Sequence, residues 1–334
     1  MAERRRILTG DRPTGKLHLG HYVGTLANRV RLQHEYDCFI FAADIHALTT
    51  SYEDPRSVNA NVQELVLDYL AVGLDPNVCT IYVQSAVIQV GMLNTILGML
   101  AQLPRLQRVP TLKETVKQQH LTTVTLGLVS YPVLQSADIL IVRGEVVPVG
   151  KDQASHLEVS RELASRFNLL YRPVFPEPEA LIGDVPTLTG TDGKAKMSKS
   201  LGNAIFLSDP PEVVEQKVRG MYTDPTRLRA TDPGHVEGNP VFEYHDAFNS
   251  DRAEVEELKE RYRAGRVGDV EVKKRLIRAL NEFLDPIRER RAKYEGSALI
   301  AEILVAGGER ARREAAETME QVRDAMGLTY LAVN

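Results

Sequence analysis

Two histidines three positions apart, His18 and His21, flank Leu19-Gly20 just downstream of the apolar run Arg6-Ile7-Leu8-Thr9-Gly10 and the turn-forming Asp11-Arg12-Pro13-Thr14-Gly15. The pattern reads as a strand handing over to a helix of roughly Gly20 to Glu35. A helix start presents unpaired N–H groups and the positive end of its dipole, so it favours anions. Gly20 removes a side chain where a ligand must lie flat against backbone, and both imidazoles can donate to phosphate oxygens. Taken alone, a His-x-x-His pair is usually two polar residues at a helix start, and no third ligand stands nearby for a metal. Far downstream, Lys196-Met197-Ser198-Lys199-Ser200 follows the glycine-rich stretch Gly190-Thr191-Asp192-Gly193-Lys194-Ala195. Two lysines and two serines are common solvated surface. On a mobile loop, however, such lysines can close over a triphosphate and stabilise charge on a departing pyrophosphate. Nucleotidyl chemistry asks little more of a protein than alignment and positive charge.

The elements around these clusters read as an α/β chain. Cys38 to Ala43, Thr80 to Val83, Ile139 to Val142 and Val146 to Val149 read as buried strands. Helical periods fill the intervals: Val58 to Val72, Met92 to Leu103 (ending before Pro104) and Gln153 to Phe167. Such alternation predicts a doubly wound, Rossmann-type parallel sheet over residues 1–207, with ligands at the carboxyl ends of its strands. After Pro210 the texture becomes all-helical: Glu212 to Met221, Val241 to Phe248, Arg252 to Ala264, Asp269 to Asn281 and Pro286 to Tyr294. A last helix, Ser297 to Met326, has its apolar positions interrupted by Gly307-Gly308 and is the one able to return to the first part. Residues 208–334 therefore form a second, helical domain.

Composition narrows the classes further. A chain of 334 residues with 43% apolar content supports a sizeable core, and its mean hydropathy is −0.22. No apolar run approaches the roughly 20 residues that span a bilayer, and no signal-type stretch follows the basic N-terminus. Cys38 and Cys79 lie in strand-like runs without a metal-ligand pattern, which predicts buried thiols in a reducing cytoplasm. The net charge of −4 gives no global nucleic-acid signature, so a polyanion must meet a local patch.

The two clusters together resemble the paired signatures of class I aminoacyl-tRNA synthetases, in the expected order. The segments between them resemble the tryptophanyl-tRNA synthetase family: Tyr131-Pro132-Val133-Leu134-Gln135-Ser136-Ala137-Asp138-Ile139-Leu140, Val147-Pro148-Val149-Gly150-Lys151-Asp152-Gln153 and Arg166-Phe167-Asn168. Gly10 to Gly15, Asp44-Ile45-His46-Ala47, Met319-Glu320-Gln321 and Ala325-Met326-Gly327-Leu328 agree, so the likeness covers essentially the whole chain.

That resemblance implies a tryptophan–tRNA ligase that makes tryptophanyl-adenylate and pyrophosphate, then acylates the 3′ end of tRNA(Trp). His18, His21, Lys196 and Lys199 would be the catalytic stabilisers, with no covalent nucleophile. ATP, entering with Mg2+, would meet Asp11, Arg12, Pro13, Leu19, Gly20, Gly150, Lys151, Asp152, Val185 and the run Lys196-Met197-Ser198-Lys199-Ser200. Lys113 or Lys117 would add a triphosphate contact. Tryptophan would meet Tyr131, Gln135, Asp138 and Gln153, with Asp138 accepting the indole N–H. Arg12 stands where some members carry glutamine, and Gln135 where some carry methionine. No structural metal is expected. The family is homodimeric, which points to a contact around Met92 to Gln119. The basic residues Arg261, Arg263, Arg266, Lys273, Lys274, Arg275, Arg278, Arg288, Arg290, Arg291 and Lys293 read on their own as a salt-bridged helix face, and through the resemblance as an anticodon-binding surface. Two rivals stand beside this reading: a tyrosine-specific ligase on the same fold, and a synthetase paralogue with weak aminoacylation that serves as a binding or regulatory partner.

Overall fold

Five apolar runs pair side by side as one parallel sheet in the order β3-β2-β1-β4-β5. They are β1 (Arg6–Asp11), β2 (Asp37–Ala42), β3 (Thr80–Val83), β4 (Val146–Val149) and β5 (Glu179–Ile182). The computed structural model describes residues 4–110, 112, 123–149, 154–182, 187–227, 229 and 231–329. Ile7 lies opposite Cys38 and Gly10 opposite Phe41, while Phe39 faces Thr80. Both sheet faces are covered, which is why β2 is apolar at successive positions: Cys38 and Ile40 enter one core, Phe39 and Phe41 the other. Strand order reverses between β1 and β4, and there the connections diverge and leave a crevice at the carboxyl edge.

Several elements depart from the sequence expectation. Ile139 to Val142 is not a strand; Ile139–Ile141 form the final turn of the helix Leu126–Ile141, whose apolar run is helical and buried. A short apolar run fits either period, and here the helix upstream continues through it. The next helix after β3 is Gln89–Leu100, and Pro104 lies inside the first turn of a further helix, Leu103–Gln107, where a missing N–H costs nothing. β5 escaped the sequence reading because it is a half-exposed edge strand. Cys38 and Cys79 are buried free thiols, as expected, and burial pushes both pKa values up to about 12.

The second part contains the helices Pro211–Arg219, Pro240–Phe248, Arg252–Arg263 and Asp269–Tyr294. The last of these is continuous through Pro286, rather than two helices. Phe242, Tyr244 and Tyr262 are fully buried between them, and Phe242 meets Tyr262 edge-on with centroids 5.0 Å apart. The final helix, Leu299–Ala325, runs unbroken through Gly307-Gly308, as the single helix expected over this stretch. It crosses β3 so closely that a Cβ on Gly307 would lie 1.9 Å from the Ile81 carbonyl oxygen. Glycine is required there by contact, not by flexibility. The helix then sends Ala311, Ala315, Met319 and Val322 into the core beside Phe39 and Phe167.

Candidate active site

The two chemical clusters, nearly two hundred residues apart in sequence, line one cavity of about 550 Å³. Its walls include Asp11, Thr14, His18, Gly20, His21, Lys196, Met197, Ser198, Lys199 and Ser200. Helical winding starts at Leu19 and passes through a wide π-turn, Tyr22–Leu26, before Ala27–Leu32. The His18 backbone N–H donates to His21 Nδ1 at 3.1 Å, and the two rings lie 3.8 Å apart. Because Nδ1 of His21 accepts, its neutral tautomer carries the proton on Nε2, leaving that N–H for a ligand. A Cβ on Gly20 would stand 3.0 Å from His18 Nδ1 and 3.4 Å from Met197 Cβ. Gly20 thus lets the lysine loop lie directly over the histidines, with its N–H donating to Met197 Sδ at 3.3 Å.

Both imidazoles are held neutral. Burial is the main cause, and it lowers His18 to about 3, helped by His21 and Lys199. His21 falls to about 4 through burial, with Asp11 opposing and Lys199 and Arg29 assisting. These rings therefore act as neutral hydrogen-bond donors, and the positive charge of the site comes from the lysine loop. Lys199 Nζ donates to the Thr14 carbonyl and to Thr14 Oγ1, each at 3.2 Å. Burial lowers its pKa, while Asp68 and Asp11 oppose the shift.

Asn203 is the keystone of that loop, and the sequence reading missed it. It is buried, its Oδ1 accepts the Ser198 N–H at 2.8 Å, and its Nδ2 donates to Asp192 Oδ1 at 3.0 Å. The loop base is fastened to the helical part. Tyr244 donates to the Thr189 carbonyl at 2.9 Å, the Tyr222 N–H donates to the Thr191 carbonyl at 2.9 Å, and Glu243 accepts the Thr189 N–H at 3.3 Å.

Asp138 lies on the Leu126–Ile141 helix and is 2% exposed. Gln84 Nε2 donates to its Oδ2 at 2.7 Å, and His46 Nε2 lies 3.0 Å from the same oxygen. Gln84 also accepts the His46 backbone N–H at 3.1 Å, so the three residues lock one another. Burial raises the Asp138 pKa against the opposing pull of His46 and Gln84. His46 and Gln84 are site residues that the sequence reading missed. They follow the carboxyl ends of β2 and β3, and position alone could have flagged them. Tyr131, on the same helix as Asp138, sets its ring edge-on to His46 at 6.5 Å.

Other expected residues fall differently. Asp11 lines the cavity, but its carboxylate is tied to Arg29 and to the Tyr69 hydroxyl at 2.7 Å, which hold its pKa low despite burial. Arg12 donates to Thr50 Oγ1 at 2.5 Å. Pro13 and Leu19 are buried, so their contribution is shape and backbone. Gln135 is half-buried on the Asp138 helix. Gly150, Lys151, Asp152, Gln153, Val185, Lys113 and Lys117 lie outside the described residues. Much of the basic patch turns inward or pairs: Lys273 caps the Met221 carbonyl at 2.6 Å, Arg291 is buried against Asp68, and Arg275 pairs with Glu254 at 2.9 Å. Arg266, Lys274 and Lys293 are exposed. Among the described residues no group of three or more His, Cys, Asp or Glu side chains can hold a metal, and no helix is long and apolar enough to cross a membrane.

Comparison with known proteins places this geometry. Residues 1–285 match the family model described as tRNA synthetases class I (W and Y). A tryptophan–tRNA ligase of Treponema pallidum is 58% identical over 327 residues, covering 97% of both chains. One from Borreliella burgdorferi is 50% identical over 333 residues, covering 98% of this chain and 95% of its own. The crystal structure of a Campylobacter jejuni tryptophanyl-tRNA synthetase complexed with ADP and tryptophan superposes with a TM-score of 0.87 at 34% identity, covering 96% of this chain and 99% of that one.

Proposed function

We propose a tryptophan–tRNA ligase, from the premise that the chain belongs to the class I tRNA synthetases for W and Y. It activates L-tryptophan with ATP and passes the aminoacyl group to tRNA. The observation that carries the reading is the shared cavity, in which a histidine pair and a lysine loop meet above the carboxyl edge of a doubly wound sheet. Residues 1–207 are the catalytic part. Residues 208–334 are the helical, tRNA-facing part, whose last helix returns to the sheet.

Two steps follow, an in-line displacement at phosphorus and an acyl transfer. The tryptophan carboxylate attacks the α-phosphorus of ATP, displacing pyrophosphate and leaving tryptophanyl-adenylate; the terminal ribose hydroxyl of the tRNA then attacks the adenylate's carbonyl carbon, forming the ester and releasing AMP. Neutral His18 and His21 donate to phosphate oxygens, while Lys196 and Lys199 stabilise the charge gathering on pyrophosphate. Magnesium arrives with the nucleotide as part of the substrate. The buried Asp138 carboxylate accepts the indole N–H, with His46 and Gln84 fixing its orientation. An aromatic ligand without that donor would leave a buried acceptor unpaired. Gly150, Asp152, Gln153 and Val185 complete the ribose, amino-group and adenine contacts. The protein works in the cytoplasm as a homodimer. The exposed Ile88, Met92, Met99 and Leu103 supply an apolar face beside the 92–119 segment.

Pyrophosphate exchange with tryptophan and tyrosine in parallel, followed by aminoacylation of tRNA(Trp), tests the reading. Tryptophan-dependent exchange and charging are expected. Exchange with tyrosine alone would make it the tyrosine enzyme, and no exchange with either would leave a binding paralogue.

A further inference from the structure

Asp68 has no place in the chemistry above, yet it is a fully buried carboxylate, 0% exposed, on the inner face of the helix Pro55–Val72. Its Oδ2 accepts the Leu17 N–H at 2.6 Å, one residue before His18. Its Oδ1 pairs with Arg291, which reaches in from the last turn of the long helix Asp269–Tyr294 and also donates to Glu64 at 2.6 Å. The Leu17 carbonyl is held from the other side by the Leu207 N–H at 3.0 Å, and the Leu19 N–H donates to the Ile205 carbonyl at 2.9 Å. The peptide that launches the histidine pair is thus clamped between Asp68 and the segment leaving the lysine loop. Two more side chains of the same helix end reach the catalytic part and its border: Arg290 donates to the Ala71 carbonyl at 2.6 Å and Arg288 to the Asp209 carbonyl at 2.8 Å.

A buried ion pair contributes little net stability, because desolvation cancels most of the attraction; breaking it strands a charge. A plain apolar contact would hold the two helices together as well. We propose that Asp68 is a positioning residue for adenylate formation: paired with Arg291, it transmits the placement of the helical part to the His18–His21 cluster. Arg291 sets the carboxylate, the carboxylate sets the Leu17 peptide, and the peptide sets the ring of His18. Two further observations fit the latch. Asp68 lies close enough to Lys199 to favour its charged form, and burial lifts the Asp68 pKa to about 6, so the carboxylate depends on its partners to stay ionised.

The inference rests on the ligase reading and is tested apart from it. A double-mutant cycle of Asp68→Asn and Arg291→Met is run on the full chain. It reads kcat/KM for ATP and for tryptophan in pyrophosphate exchange, and ATP affinity by calorimetry. The amide of Asp68→Asn keeps the shape and can still accept the Leu17 N–H, so folding is preserved as far as one substitution allows. Each single variant should lower kcat/KM for ATP about tenfold, within the range of inter-site coupling, with kcat/KM for tryptophan within about twofold. The double variant should be no worse than the worse single, as for residues acting as one unit. Arg291→Lys, which retains the charge, should recover part of the loss and replaces Arg291→Met if that protein does not fold. A lower melting temperature with unchanged ATP kinetics, or fully additive losses, overturns the latch. A wild-type protein inactive with tryptophan would count against the ligase reading alone, because calorimetric ATP affinity still reports the latch.

Discussion

Acidification from pH 7 to 5 should separate the neutral histidine pair from ordinary surface histidines. In the unfolded chain both imidazoles take up protons near 6.5, whereas in the fold His18 titrates at about 3 and His21 at about 4. Their folded pKa values are depressed, so the stability they carry is complete above pH 6.5 and is lost as the pH falls towards 4. By pH 5 each unfolded ring has gained about 1.5 pK units of proton binding that the folded ring lacks, so the pair withdraws about 4 kcal/mol. Asp68 works in the opposite sense. Its folded pKa is raised from 3.8 to about 6, so its ionisation costs stability above pH 6, and acidification relieves about 1 kcal/mol of that by pH 5. These three groups together withdraw roughly 2–3 kcal/mol, and the pair's share is read as the difference between wild type and a variant lacking both histidines by urea denaturation at the two pH values. In a His18→Gln/His21→Gln variant the share of the loss that the pair supplies should disappear. Nuclear magnetic resonance of the imidazole carbon protons gives the direct check: neither ring should titrate between pH 8 and 5. A midpoint near 6.5 for His18 or His21 would refute the claim that burial keeps them neutral.

Three further outcomes follow from the geometry. Lys196→Ala should slow adenylate formation by about 10²–10³-fold in single-turnover assays, the scale of a lost transition-state donor, and near-normal rates would remove the loop from the chemistry. Asp138→Asn should raise KM for tryptophan by about 10- to 100-fold and leave KM for ATP within about twofold, because the new amide faces the Gln84 donor and no longer accepts as a carboxylate. Gly307→Ala should lower the melting temperature, since the added carbon would overlap the Ile81 carbonyl and cost about 1–3 kcal/mol. Gly308→Ala, which meets Ala86 Cβ at 3.3 Å, should cost clearly less than Gly307→Ala, so equal effects at the two sites would contradict the close crossing.

The parallel sheet and the two signature clusters were legible because each is local: continuous apolar runs for β1 to β4, and short spacings for the histidines and lysines. What stayed hidden depends on contacts across the fold. Asn203 sits beside the lysines in sequence, but only burial against Asp192 and Ser198 distinguishes it from a loop asparagine. His46 and Gln84 could have been flagged by their places after β2 and β3, but that both meet Asp138 depends on the helix Leu126–Ile141 lying beside those strand ends. The 139–142 run was misread because an apolar tetrad suits either period once burial is complete. Gly307-Gly308 interrupts the apolar pattern of the last helix, and only the close approach to β3 shows why glycine stands there. Charge density read as a salt-bridged helix face, and many of its members do pair. What the sequence did not show is that Arg288, Arg290 and Arg291 find partners at the catalytic part and its border.

The division of labour inside the cavity follows from what a buried site can hold. Two imidazolium rings 3.8 Å apart, next to Lys199 and Arg29, would repel one another in a poorly solvated pocket, and burial resolves this by leaving both neutral. In the proposed reaction their N–H groups would still offer dipoles to phosphate, without requiring a counter-charge. The cations a triphosphate needs are placed instead on a loop whose base is fastened to the helical part through Thr189 and Thr191. Lys199 rests on two oxygens of Thr14, and it can exchange those hydrogen bonds for phosphate oxygens with little further desolvation. Because Asp68 joins the histidine side of the cavity to Arg291 on the same helical part, both walls of the nucleotide site are tied to one body. A rotation of that body would therefore move the lysines and the histidines together, and the distance between them is set by the fold rather than by the ligand alone.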